Sequence, residues 1–122
     1  MAKYKTSNGH TRRAYSPAQT VAAAAADQSI LRLDVPHDCD GIKIGLGVSP
    51  VAAWASPGIT FALHVNGKFE QSIEDEIADL IQRDFFPMNL AAGDNVELFA
   101  SNAGATDAIV AAVMSTAFEG AA

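Results

Sequence analysis

Apolar and polar residues alternate along much of the chain after residue 30. Leu31, Leu33 and Val35 alternate with Arg32 and Asp34, and Ile42, Ile44, Leu46 and Val48 alternate with Lys43, Gly45 and Gly47. Ile59, Phe61, Leu63 and Val65 alternate with Thr60, Ala62 and His64, and Val96, Leu98 and Ala100 alternate with Glu97 and Phe99. Successive side chains of a strand point to opposite faces, so each set predicts a strand with one buried face. Residues 108–118 are almost continuously apolar, which predicts a last strand covered on both faces, by the core and by another subunit. The connections agree. Asp40-Gly41 precedes one alternating run, and Asn66-Gly67 sits between Val65 and Phe69. Asn-Gly favours a hairpin because both central turn positions need positive φ.

Two stretches follow a different pattern. In residues 16–28, Ser16, Pro17 and Gln19 fit a capping box with proline at the first helical position, and the alanine run that follows favours helix. Alanine also fills a tightly packed strand, so helix and strand stand equal there. In residues 73–86, Ile73, Ile77, Leu80 and Ile81 have helical spacing, with acids at the start that suit the helix dipole. That predicts a short helix or irregular crossover, stopped by Pro87. The total is six to eight short strands with turn signals between them and no βαβ alternation. The class is an all-β sandwich or barrel.

Composition narrows this further. A chain of 122 residues builds one core, and 49% hydrophobic with 18% charged residues excludes both disorder and a membrane bundle. Residues 44–63 carry no charge over a membrane-spanning length, but Gly45, Gly47, Pro50, Pro57 and Gly58 break them into strands and a loop. No apolar stretch precedes a cleavage site near the N-terminus, so no signal peptide is expected. The single cysteine, Cys39, excludes an intrachain disulfide framework. The 24 alanines suit close strand and subunit packing. Net charge is −6, but Lys3, Lys5, Arg12 and Arg13 precede the first acid, Asp27. Residues 1–13 therefore carry +4 and the remainder −10. The organisation predicted is a basic, extended arm over residues 1–15 and one domain over residues 16–122.

Candidate chemistry is sparse. His37-Asp38-Cys39-Asp40 is the densest group of potential ligands, yet a zinc site needs three or four ligands in tetrahedral reach, which adjacent residues seldom supply. It reads as a polar loop closing a hairpin, and no metal is expected. A dinucleotide fingerprint would need a glycine three residues after Gly47, where Pro50 stands. No Gly-x-Ser-x-Gly, His-Glu-x-x-His or Walker sequence occurs. The acids between Glu70 and Asp84 read as a solvated face rather than a glycosidase pair. The chain is expected to be no enzyme and to need no cofactor. His64, opposite in phase to Phe61 and Leu63, belongs on the surface.

The arm is the stronger candidate. Lys3, Lys5, Arg12 and Arg13, with Tyr4 and Tyr15, suit phosphates or an acidic protein surface. A body at −10 repels a polyanion, so the partner predicted is protein rather than nucleic acid. A solubilising tail is the plain alternative. Trp54, between Pro50 and Pro57, either stacks on a sugar or a partner or plugs the end of the sandwich.

The stretch Leu90-Ala-Ala-Gly93-Asp94-Asn95-Val96-Glu97-Leu98, followed by a small-residue loop and a final apolar strand with Phe118 near its end, resembles the C-terminal half of trimeric jelly-roll domains. Tumour-necrosis-factor and complement-type heads belong to that group, and so do jelly-roll domains of phage virions. The likeness covers residues 88–118. Within the group, the chain is most similar to small head-decoration (cement) proteins of tailed phages, which are short, alanine- and glycine-rich single domains with an N-terminal arm. The resemblance implies a jelly-roll-like antiparallel β-sandwich, a homotrimer made in the host cytoplasm and seated on the capsid surface of the virion. It implies that Lys3, Lys5, Arg12 and Arg13 reach across the capsid protein lattice and lock it. Unlike the animal members, the chain is expected to carry no collagen-like stalk, membrane anchor or secretion signal. Two other readings are a carbohydrate- or receptor-binding module, such as a fibre tip using Trp54 and Phe99, and nucleic-acid binding through the arm.

Overall fold

The computed structural model describes residues 13–49, 58–73 and 81–117. They form eight strands: β1 (Arg13–Val21), β2 (Gln28–Asp34), β3 (Cys39–Ser49), β4 (Ile59–Val65), β5 (Lys68–Ile73), β6 (Ile81–Leu90), β7 (Asn95–Asn102) and β8 (Ala108–Ala117). Two four-stranded sheets have the orders β1-β8-β3-β6 and β2-β7-β4-β5, and every pairing is antiparallel. Of these strands only β4 and β5 follow one another within a sheet; the other successive strands change sheets. That order is a jelly roll, two Greek keys wrapped into a sandwich.

The period-two alternation decides which face turns inward. Ile42, Ile44, Leu46 and Val48 of β3 and Val110, Ala112 and Met114 of β8 are buried from one sheet. Ile59, Phe61 and Leu63 of β4 and Val96, Leu98 and Ala100 of β7 are buried from the other. All belong to one hydrophobic cluster. Each large aliphatic or aromatic side chain so buried contributes about 1.5–3 kcal/mol. Asn66 and Gly67 have φ of 52° and 84°, so the Asn-Gly hairpin expected between β4 and β5 is present with both central residues left-handed.

Residues 16–28 resolve as strand and loop. β1 runs to Val21, and its register along β8 shifts between Ser16 and Gln19. Pro17 sits in that irregularity, where a residue lacking an N–H leaves no ladder bond unmade. Gln19 Nε2 donates to Ser16 Oγ at 2.7 Å and to the Ile30 carbonyl at 3.2 Å. The residues that imitate a capping box therefore clamp β1 to β2. β1 also opens at Arg13, so residues 13–15, expected within the arm, are paired with β8.

The short helix or irregular crossover expected over residues 73–86 is corrected at both ends. Ile73 closes β5, and residues 81–86 are strand; residues 74–80 lie outside the described residues. β6 continues through Pro87, which pairs with Gly41. Because β6 is the sheet edge, a missing N–H is tolerated there. No helix occurs among the described residues. On β8 the core of this chain covers one face. Ala108, Val110, Ala112 and Met114 face the core, but the alternate residues Ile109, Ala111 and Val113 stay at least partly open.

Candidate functional site

Three features stand out on the surface of the sandwich. The first is the outer face of the β1-β8-β3-β6 sheet. Register aligns Tyr15, Val113 and Gly45 in one row, and Ala111 with Gly47 in the next. Tyr15 is 69% exposed and Ile109 47% exposed. From the row of Arg13, Ser115 and Lys43 to that of Thr20, Ile109 and Ser49, the residues of β1, β8 and β3 include no carboxylate. In a protein this acidic, such a face is an exception. Its glycines and alanines make a flat floor, with a tyrosine, a valine and an isoleucine standing on it. Apolar sheet surface open to water marks a contact surface.

The second feature is a knot of turns at one end. Gly93 adopts φ of 95°, and Asp94 beside it bonds three loops. Its carboxylate accepts from the Ala91 N–H at 2.8 Å and from Asn66 Nδ2 at 3.1 Å, and its carbonyl accepts from the Val35 N–H at 2.8 Å. The Ala91 N–H, and then the Asn66 amide, hold the Asp94 carboxyl below the usual carboxylate range. Asp38, Asp40, Asn89 and Asp94 line an open cleft of about 450 Å³ beside this knot. His37-Asp38-Cys39-Asp40, expected to close a hairpin, instead crosses from β2 in one sheet into β3 in the other, and it is tied down by its own bonds. Asp38 Oδ1 accepts from the Ala92 N–H at 3.2 Å, and His37 Nδ1 lies 2.9 Å from the Asp38 carbonyl. Cys39 Sγ donates to the Gly41 carbonyl at 3.6 Å, and burial pushes its thiol pKa up. Among the described residues no three such ligands converge.

The third feature is aromatic, on the outer face of the β2-β7-β4-β5 sheet. His64 is half-buried against two phenyl rings: 4.6 Å from Phe99 and 5.8 Å from Phe69 between centroids, the second edge-on at 84°. Phe69 is 59% exposed. The sequence places His64 on the solvent side, as found, and the structure adds the ring cluster around it. Its signal was available: a two-residue Asn-Gly turn fixes residue 64 opposite residue 69.

Of the arm residues, Arg13 opens β1 and is exposed. Lys3, Lys5 and Arg12 lie outside the described residues, as does Trp54. Phe99, the other aromatic proposed for recognition, joins the His64 cluster.

No family model and no curated protein matches the sequence. Solved structures do match the fold. PRD1 vertex protein P5 superposes with a TM-score of 0.54 at 8% identity, covering 86% of this chain and 96% of the other. The likeness is one of fold. Weaker matches are the Eiger TNF from S. frugiperda, with TM-score 0.46, 12% identity and coverage of 88% and 92%, and a chain in the capsid of Helicobacter pylori bacteriophage KHP30, with TM-score 0.43, 12% identity and coverage of 87% and 92%.

Proposed function

We propose that this chain is a non-enzymatic structural protein of a phage virion, a decoration protein that binds the capsid surface as a homotrimer and stabilises the shell. One observation carries the reading: the small-residue outer face of β1, β8 and β3 that holds no carboxylate over residues 13–20, 109–115 and 43–49, in an otherwise acidic protein. A second copy is a partner that the small and apolar centre of this face, around Tyr15, Val113 and Ile109, suits, with the cations Arg13 and Lys43 at one margin. The match to PRD1 vertex protein P5, which spans nearly the whole of both chains, supports a virion part as the setting.

The mechanism is multivalent. Each copy contributes modest apolar burial, and symmetry ties several weak attachments into one strong one. The basic segment supplies the electrostatic part: Lys3, Lys5, Arg12 and Arg13 face an acidic protein surface, either of the capsid lattice or of an adjacent copy. Such contacts weaken as salt rises.

The test combines light scattering with sedimentation of the protein alongside its phage capsids. The expected mass is three times the 12.7 kDa of one chain, and the protein is expected to pellet with capsids. Deletion of residues 1–12 should leave the trimer intact and reduce pelleting, most at low salt. A monomer that ignores capsids overturns the reading. A truncated form that coats capsids as well as the intact chain removes the role of the arm. Binding to DNA in preference to capsids, with a steep salt dependence, favours a nucleic-acid protein instead.

A further inference from the structure

We infer that the outer face of the β2-β7-β4-β5 sheet is a binding site for the ring of a neutral saccharide, with the exposed Phe69 as its platform, His64 and Phe99 inclined beside it, and Glu97 and Ser29 at its rim. The register assembles the site from four strands. β4 and β5 bring His64 opposite Phe69; β4 and β7 bring His64 opposite Glu97; β2 and β7 bring Ser29 opposite Phe99. The two ring contacts lock the imidazole between the phenyls, and Phe69 keeps an open face to water.

The rim is polar and ordered. Ser29 Oγ donates to Glu97 Oε2 at 2.5 Å, which fixes the carboxylate beside Phe99. Arg32 lies opposite Glu97 in register but reaches along its own strand to Asp34, Nε to Oδ1 at 3.3 Å. Glu97 therefore retains acceptor capacity for a hydroxyl donor, and such a charge-assisted bond is about twice as strong as a neutral one.

The occupant follows from size and charge. A docked protein domain needs roughly 800 Å² from each partner, much of its centre apolar. Here the apolar area is two phenyl rings with an imidazole between them, and polar Thr60, Asn66 and Ser101 lie on the strands and turn around it. Phosphates and sulfated sugars are repelled by Glu97 and by the −10 body. A pyranose combines what this patch accepts. Its C–H face carries slight positive charge and meets the negative face of a phenyl ring, while its hydroxyls donate to a carboxylate at the edge. The site lies on the opposite side of the sandwich from the β1-β8-β3 face, so an oligomer built on that face leaves every copy open.

Amide NMR titration of the intact protein tests this, with cellotetraose, maltotetraose and chitotetraose as probes. At least one is expected to shift His64, Phe69 and Phe99 with Kd near 1 mM or tighter. Phe69→Ala should weaken that binding at least tenfold with melting temperature and oligomer mass unchanged, and Phe69→Tyr should retain it. No shift from any probe at about 10 mM overturns the inference. So does binding that maps elsewhere or survives Phe69→Ala, and so does a heparin tetrasaccharide that binds this face in place of the neutral probes. Capsid binding is read separately, so failure here leaves the decoration reading untouched.

Discussion

Asp94 shows how much one side chain can hold when backbone donors surround it. Its carboxylate and carbonyl join the β6–β7 turn to the β2–β3 loop and the β4–β5 hairpin. The donors favour the charged form, so its folded pKa falls below the ordinary 3.8. A depressed carboxylate pKa stabilises the fold above the unfolded value, and that contribution is lost as pH falls through the folded one. Asp94→Asn should therefore lower the melting temperature at pH 7, and the gap should close as pH drops below about 4. Melting curves of both proteins from pH 7 to about pH 3 read this directly. A gap that stays constant across that range rules out the carboxylate as its source. The Gly93-Asp94 pair was legible in the sequence as a tight turn before a strand. The bonds that cross to other loops were not, because their partners, Val35 and Asn66, lie far away along the chain.

At the scale of elements, the strands that read clearly are those with one wet and one dry face. β2, β3, β4 and β7 alternate because one side of each lies on the core. β8 read as doubly covered because its outward residues are apolar as well, and that excess is what marks its outer face. β1 and β6 were obscured for another reason. Both are edge strands, where a proline and an irregular register do little harm, so local patterns that imitate helix signals survive. The contrast is measurable. Pro87→Val in β6 should change stability by less than about 1 kcal/mol. Ala112→Pro should cost about 3 kcal/mol or more, because β8 is bonded on both sides, to β1 at Ser16 and to β3 at Leu46. Denaturant unfolding of the two variants gives both values.

At the scale of the molecule, two opposite faces differ in character. One is flat, rich in small residues and free of carboxylates on β1, β8 and β3 from the row of Arg13, Ser115 and Lys43 to that of Thr20, Ile109 and Ser49; the other carries rings beside an acid. Val113→Glu, at a half-exposed position in the centre of the first face, should leave the sandwich folded. It should reduce the light-scattering mass to that of one chain and cut capsid retention at least tenfold. Unchanged mass in this variant removes that face from assembly. Each face was legible only in part, in the apolar outward residues of β8 and in the Asn-Gly turn that sets His64 opposite Phe69; the neighbours on other strands join only once the register is set. The same register constrains how the protein is made. Arg13 pairs with Ser115, and β8 lies between β1 and β3. As a ribosome extends the chain, β1 leaves the exit tunnel first among the described strands and then waits without its neighbour until β8 has been synthesised. Closure of so long a loop precedes any gain from the pairing, which makes for slow, late folding. For most of its synthesis the sheet has a vacancy one strand wide, and an apolar strand from another nascent copy fits it as well as its own.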